Sequence, residues 1–315
     1  MIQFHHLLTQ VVTYKKEKKK DLRYFVVTTQ QTTEASMKYF TVAIYITISD
    51  MLQAMHHKED EQRRIDDATI ITTLVVSSRY FGGNIQNTLS YMKSDHCPGM
   101  LSKSQFNRRM HHIKDLIQAV FEVFSSVFKQ ENERQYYLLD SFPVKVCHNI
   151  RISRNRLLGY NDIFRGKNAS KREYFYGFKA GVLCTEEGIP VEIALLPGSY
   201  HDARFLNRMD FNIPPEASIF GDNAFENHDL EDNSGQMGQI IWETMRKKNT
   251  SRGDIYQIRL WKKAIRRQIE SVFSAICAAM PKTIHAVTPD GFNLKTFMFI
   301  FAYALSFLFN EQEFV

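Results

Sequence analysis

Between residues 36 and 130 the apolar positions recur every three or four residues, a spacing that predicts helices. "AIYITISDMLQAMHH" carries such a stripe. "DDATIITTLVVSSRYF" begins with two acids, which suit the positive end of a helix, and then turns strongly apolar until Gly82-Gly83-Asn84 breaks it. "SKSQFNRRMHHIKDLIQAVFEVFSSVF" opens at Ser102 or Ser104 as a cap and reads as one long helix. Together these segments predict a domain of several packed helices. Residues 1–35 mix apolar, lysine-rich and Thr/Gln-rich pieces without a period, and remain unplaced.

Near Glu131 the texture changes. "QYYLLDSFPVKV", "REYFYGFKAGVLCT" and "PVEIALLPGS" are rich in aromatic and β-branched residues, with turn signals at Glu187-Gly188 and Pro197-Gly198. They read as three successive strands. "DARFLNRMDF" reads as helical, "EASIFGDNAF" and "GQIIWETM" as a fourth and fifth strand, and "DIYQIRLWKKAIRRQIESVFSAICAAM" as a long helix. Three strands followed by alternating helices and strands is a mixed α/β layout. The run "TFMFIFAYALSFLF" is too short to span a bilayer of roughly 30 Å and predicts a buried core helix. In "VVTYKKEKKKDLRYF" the lysines follow the apolar stretch, the wrong order for a secretory signal. The expectation is a soluble, cytoplasmic protein with no membrane partner.

The chain has 315 residues, 44% of them hydrophobic, enough for one large domain and a smaller one. Its four cysteines form no CxxC pair, which argues against a zinc ribbon or a disulfide framework. The net charge of +6 is compatible with nucleic acid, and its distribution says more than its sum. Arg151, Arg154, Arg156, Arg165, Lys167 and Lys171 crowd the segment between the first two strands. Arg246, Lys247, Lys263, Arg266 and Arg267 form a second cluster, together with Lys248, Arg252 and Lys262. Such clusters neutralise phosphates and release counterions, giving salt-sensitive binding to a nucleic-acid backbone. The alternative is an ordinary solvated basic face.

Three acids stand at element edges. Asp140 interrupts the apolar run "YYLLDSFPVKVC"; a buried carboxylate must be hydrogen-bonded, paired or bound to a metal. Asp222 ends the fourth strand after Gly221, and Glu270 lies beside the apolar face of the long helix, one turn after Arg266. Carboxylates from separate elements can hold divalent ions for phosphoryl transfer. On spacing alone, the alternative is that Asp140 and Asp222 cap turns, the first strand ending before Pro143, while a solvated Glu270 pairs with Arg266. His201, in "GSYHDARF", is a candidate for orienting a phosphate or water; the plainer role is structural, capping the next helix with Asp202.

The blocks "LLDSFPVKVC", "YFYGFKAGVLCTEEGIPVEIALLPGSYHD", "FGDNAFEN", "RRQIESVFS" and "IHAVTPDGFNLK", with "DDATIITTLVVSSRYFGGNIQ" and "MLSKSQFNRRMHH", resemble the DDE transposases of bacterial insertion sequences, in particular insertion-sequence family 982. The resemblance spans roughly residues 45–305. It implies an RNase H-like catalytic domain over 131–310, a five-stranded mixed sheet flanked by helices, after a helical DNA-binding domain over 36–130. It implies Asp140, Asp222 and Glu270 as catalytic metal ligands, with magnesium as cofactor and manganese able to substitute. It implies double-stranded DNA as partner, both terminal inverted repeats and target, a homodimer in the DNA complex, and association with the nucleoid. Arg266 matches the family's arginine four before the glutamate. Lys263 and Cys277 stand where a tyrosine and a lysine would be, so the family's fuller signature is incomplete. The alternative is a catalytically degenerate, transposon-derived DNA-binding protein.

Overall fold

The computed structural model describes residues 31–168, 172–236, 240–247 and 250–309. Lys171, Lys248 and residues 1–30 lie outside them. The helical part comprises α1 (Gln31–Ala54), α2 (Asp67–Tyr80), α3 (Ile85–Asp95), α4 (Lys103–His112) and α5 (Lys114–Gln130). The α/β part comprises β1 (Tyr136–Cys147), β2 (Arg165–Asn168), β3 (Glu173–Thr185), β4 (Pro190–Pro197), β5 (Ala217–Gly221), α6 (His228–Gln236), β6 (Ile240–Thr244) and α7 (Tyr256–Ala279), followed by α8 (Pro289–Ser306). The chain divides into two compact units: residues up to Val127 with those from Met298 onward, and Phe128–Phe297.

In the first unit, side chains close the helix starts by accepting orphan backbone N–H groups. Asp66 accepts from Thr69 N, Asn84 from Asn87 N, and Ser102 forms a capping box with Gln105. The helix expected to run unbroken from Ser102 is two helices, because the backbone turns at Ile113 (φ −98°, ψ 17°). Ile113 is itself buried, and no Gly or Pro marks the break. Nothing in the pattern announces helix α3, because its apolar positions are few and its polar ones many. Asp67 is buried at the start of α2, where Arg109, Arg63 and His57 all reach its carboxylate. The apolar run Thr296–Phe309 lies in α8 and the turn after it; its Phe301 meets Phe121 and Phe124 edge-on. No described helix is long and apolar enough to cross a membrane.

The second unit is built on one mixed sheet of six strands in the order β2-β3-β1-β5-β6, with β4 also on β3. Strand β3 runs antiparallel to β1, β2 and β4, whereas β1, β5 and β6 are parallel. Pairing with β1 takes one edge of β3 over Tyr176–Thr185. Strands β2 and β4 therefore share the other edge end to end, β2 opposite Glu173–Tyr176 and β4 opposite Phe178–Cys184. The sheet is five strands wide, and the sixth strand corrects the expected count. "RGKN" has no β-branched or aromatic residue, so its pairing rests on backbone hydrogen bonds that no side-chain pattern announces.

"DARFLNRMDF" is not an α-helix but a short 3₁₀ turn, Asp202–Asn207, with Phe205 and Leu206 buried. Gly181 on β3 leaves room for it: a Cβ there would lie 2.5 Å from the Phe205 ring. Gly181 pairs with Ser141 of β1, so this packing holds Asp202 over the middle of β1. Gly181→Ala is expected to cost about 1–3 kcal/mol by overpacking, read as a lower urea midpoint. An unchanged midpoint would show that the ring yields freely.

Candidate active site

β1 is longer than its parallel neighbour. Register with β5 runs from Tyr136↔Ser218 to Leu139↔Gly221, where β5 ends. From Asp140 onward β1 keeps a ladder partner only on the β3 side. This answers how a proline sits inside the strand: Pro143 pairs within the β3 register, in a stretch where the other edge makes no ladder. It also goes against the alternative in which the first strand ends before Pro143, since β1 continues to Cys147. Asp140 and Asp222 each follow the last paired residues, Leu139 and Gly221, and so leave adjacent parallel strands side by side. Ligand sites in such sheets gather beyond carboxyl ends of strands, where neighbouring connections diverge.

Helix α7 packs on β1 and β5 and brings in the third acid. Its Trp261 meets Phe220 (5.0 Å) and Tyr136 (6.1 Å), and its Phe273 meets Phe142 (6.3 Å). Arg266 and Glu270 lie between these two anchors. The β3–β4 turn fixes the helix further: Gln268 Nε2 donates to Glu186 O at 2.6 Å, and Gly188 (φ +88°) leaves no Cβ against Val272. Arg266 donates to Asp222 Oδ1 at 2.5 Å and to Glu270 Oε1 at 3.1 Å, tying the two acids together. Glu270 is 62% exposed and Asp222 33%. Asp222 also caps the following 3₁₀ turn, accepting from Asn223 N, so part of the turn-and-pair alternative holds alongside the cluster.

Asp140 is the electrostatically unusual member. Its carboxyl is pushed up to about 7, chiefly by burial and also by the charges of Asp222 and Asp202, against the Ser141 N–H at 2.7 Å and the charge of Arg266. Burial works against the charge of Arg266, but its bonds to Asp222 and Glu270 more than compensate and raise its pKa. Asp202 is a fourth carboxylate that the sequence reading treated only as a helix cap. Its Oδ1 accepts from Ser141 Oγ and from Lys179 Nζ, both at 2.9 Å. The one signal that could have found it is its place in "SYHD", shortly after β4, whose partner β3 also pairs with β1. Its neighbour His201 is exposed and makes no side-chain cap.

The basic candidates separate into different settings. Arg246 is committed to Glu231 at 2.6 Å, with Glu226 and Asp254 near, and only 17% of its side chain is exposed. Lys247 lies 3.9 Å from Glu226. Arg165 sits 3.8 Å from Asp162 and over the Tyr160 ring, and Lys167 over the Tyr174 ring. Lys263 and Arg267 are exposed on α7. Arg151, Arg154 and Arg156 line a cavity at the far end of β1, with Lys145 and Lys282.

Two donor sets come into question for a divalent ion. The acids of β1, β5 and α7 offer hard oxygens, which suit magnesium or manganese, and a cation there would offset the mutual repulsion that disfavours ionised Asp140. They fit. His57, Glu59 and Asp67 in the helical unit also bring ligand atoms within 4.8 Å of one another. There Arg109 occupies one oxygen of Asp67 while Arg63 and His57 occupy the other, and an added cation would meet two guanidiniums. That group is a buried charge node and does not fit a metal.

A mixed sheet of this order, flanked by helices and carrying acids beyond the end of β5, is consistent with an RNase H-like DDE domain. Residues 130–285 match the family model described as a transposase DDE domain. Over these residues the match supports a transposase DDE domain, a class of domain that acts on DNA and uses divalent metals. No curated protein and no solved structure matches the chain.

Proposed function

We propose that this protein is a transposase of the insertion-sequence 982 type, which cleaves transposon-end DNA and joins the freed 3′-hydroxyl to target DNA. The observation that carries the reading is the β1–β5 register, which sets Asp140 beside Asp222, with Arg266 linking Asp222 to Glu270 on α7. Asp140, Asp222 and Glu270 would hold the cation, which when bound supplies an activated oxygen nucleophile and charge neutralisation at the attacked phosphate. Arg266 screens Asp222 from Glu270, and its guanidinium is the group at this site that would meet a phosphate if those carboxylates held a cation. Lys179 and Ser141 hold Asp202 above β1, adding negative charge beside Asp140. The substrate is double-stranded DNA with terminal inverted repeats, bound by a homodimer with the helical unit assisting, in the bacterial cytoplasm at the nucleoid.

The test replaces Asp140, Asp222 and Glu270 singly with alanine and measures magnesium-dependent strand cleavage of a duplex carrying the element's terminal repeat. Each variant is expected to lose upwards of about a hundredfold in rate, more than outer partners of a metal typically contribute. Full activity in any one removes that residue from the site. A wild-type protein that binds end DNA without cutting it would favour the degenerate, DNA-binding alternative.

A further inference from the structure

The far end of β1 carries a second feature, distinct from the carboxylates. A cavity of about 810 Å³ opens between the end of β1, the segment 148–157 and the segment 282–286 that follows α7. Its charged walls are Lys145, Arg151, Arg154, Arg156 and Lys282, and no acid lines it. Lys145 is paired with Glu173, but Arg151, Arg154, Arg156 and Lys282 have no acidic partner among the described residues. A β-bulge between Lys145 and Cys147 turns the strand end, so that Lys145, Val146 and Cys147 all face the cavity. Four unpaired cations around one opening repel one another, an arrangement that a polyanion relieves. These cations come from segments remote in sequence, so a single solvated face of one element does not explain them.

We propose that this groove is a clamp for the phosphate backbone of duplex DNA, set apart from the acids along the same strand. The inference rests on the reading of the protein as a DNA transposase and gives that DNA a second anchoring point. From Asp140 to Val146 is six residues of extended chain, about 20 Å. At about 3.4 Å of duplex axis per phosphate on each strand, the clamp grips DNA roughly six base steps from the cluster of acids. The contact is to the backbone, because several cations from separate segments converge on one opening that no acid lines, which matches the charge of successive phosphates. It therefore fixes position without reading sequence.

The experiment uses the full chain, chelator in place of metal, and a fluorescent duplex of arbitrary sequence titrated with salt. The triple variant Arg151→Gln, Arg154→Gln, Lys282→Gln is compared with a charge-matched control at exposed residues of the same unit, Arg134→Gln, Arg208→Gln, Arg259→Gln. Each lost phosphate contact lowers the salt slope by about 1, so the groove variant is expected to lose about 3 from its slope. At 0.1 M salt it is expected to bind at least about tenfold more weakly. The control is expected to keep the wild-type slope. A groove variant with an unchanged slope overturns the clamp while leaving the transposase reading intact, which magnesium-dependent cleavage by the wild type tests separately. Equal losses in groove and control variants overturn it too, since general charge then explains the binding. A wild-type protein that binds no DNA overturns both the clamp and the reading on which it rests.

Discussion

Replacing Asp140 with asparagine is expected to raise the melting temperature of the metal-free protein while abolishing magnesium-dependent cleavage. The ordinary carboxyl value of 3.8 applies to the unfolded chain, and folding lifts it to about 7. The folded state therefore binds the proton more tightly than the unfolded one. Below the unfolded value the group is neutral in both states and costs nothing. As pH rises toward 7 the folded protein is penalised increasingly, and above it the cost is full, about 2–4 kcal/mol. The asparagine variant avoids that cost, so its advantage should be absent near pH 4 and largest near pH 8, about 5 °C or more in melting temperature. Magnesium at pH 8 should stabilise the wild type by binding only its folded form, and should leave the variant nearly unmoved. Melts of both proteins across pH, with and without magnesium, check all of this. If magnesium stabilises both equally and the variant still cuts DNA, Asp140 is not a ligand.

A second large effect is expected far from those acids. Asp67 is 1% exposed, and its carboxylate is the shared partner of Arg109, Arg63 and His57. Its own backbone N–H donates to Glu59 Oε1 at 2.8 Å. Asp67→Ala strands the guanidinium of Arg109, only 15% exposed, without its anion. Breaking a buried pair from one side costs about 3–5 kcal/mol, because a buried charge is left unpaired. The helical unit should then unfold at a distinctly lower urea concentration by circular dichroism. Added magnesium or zinc should not restore it, since what Arg109 has lost is an anion and a further cation supplies none. A variant as stable as the wild type would show that water reaches Arg109.

Much of the scaffold was legible along the chain. The alternation and β-branched content of "QYYLLDSFPVKV", "REYFYGFKAGVLCT" and "PVEIALLPGS" reported strands because each must bury one or both faces. The cap at Ser102 was legible, and so was the acid-led helix start at Asp66, because both act over a few residues of chain. What escaped is non-local. Strand β2 forms only because the segment before Glu173 folds back onto an edge of β3 that β4 leaves open. The break at Ile113 has no local breaker. Asp202 looked like a cap because its partners, Ser141 and Lys179, lie 61 and 23 residues away.

The same division runs through the candidate site. By itself the sequence determined which acids stand at the ends of apolar runs, and its motif blocks pointed to a DDE transposase. Only the tertiary structure decided that β5 stops opposite Leu139, which leaves Asp140 beside Asp222 and lets β1 run past Pro143. It alone decided that Arg266 joins Asp222 to Glu270 and that Arg246 is spent on Glu231, whereas Arg151, Arg154 and Lys282 share one opening. The physical reason is one of range. Propensity and capping act over a few residues, so a linear pattern carries them. Pairing, repulsion and burial of charge act through space, between residues whose distance is set only when the sheet and α7 have closed on each other.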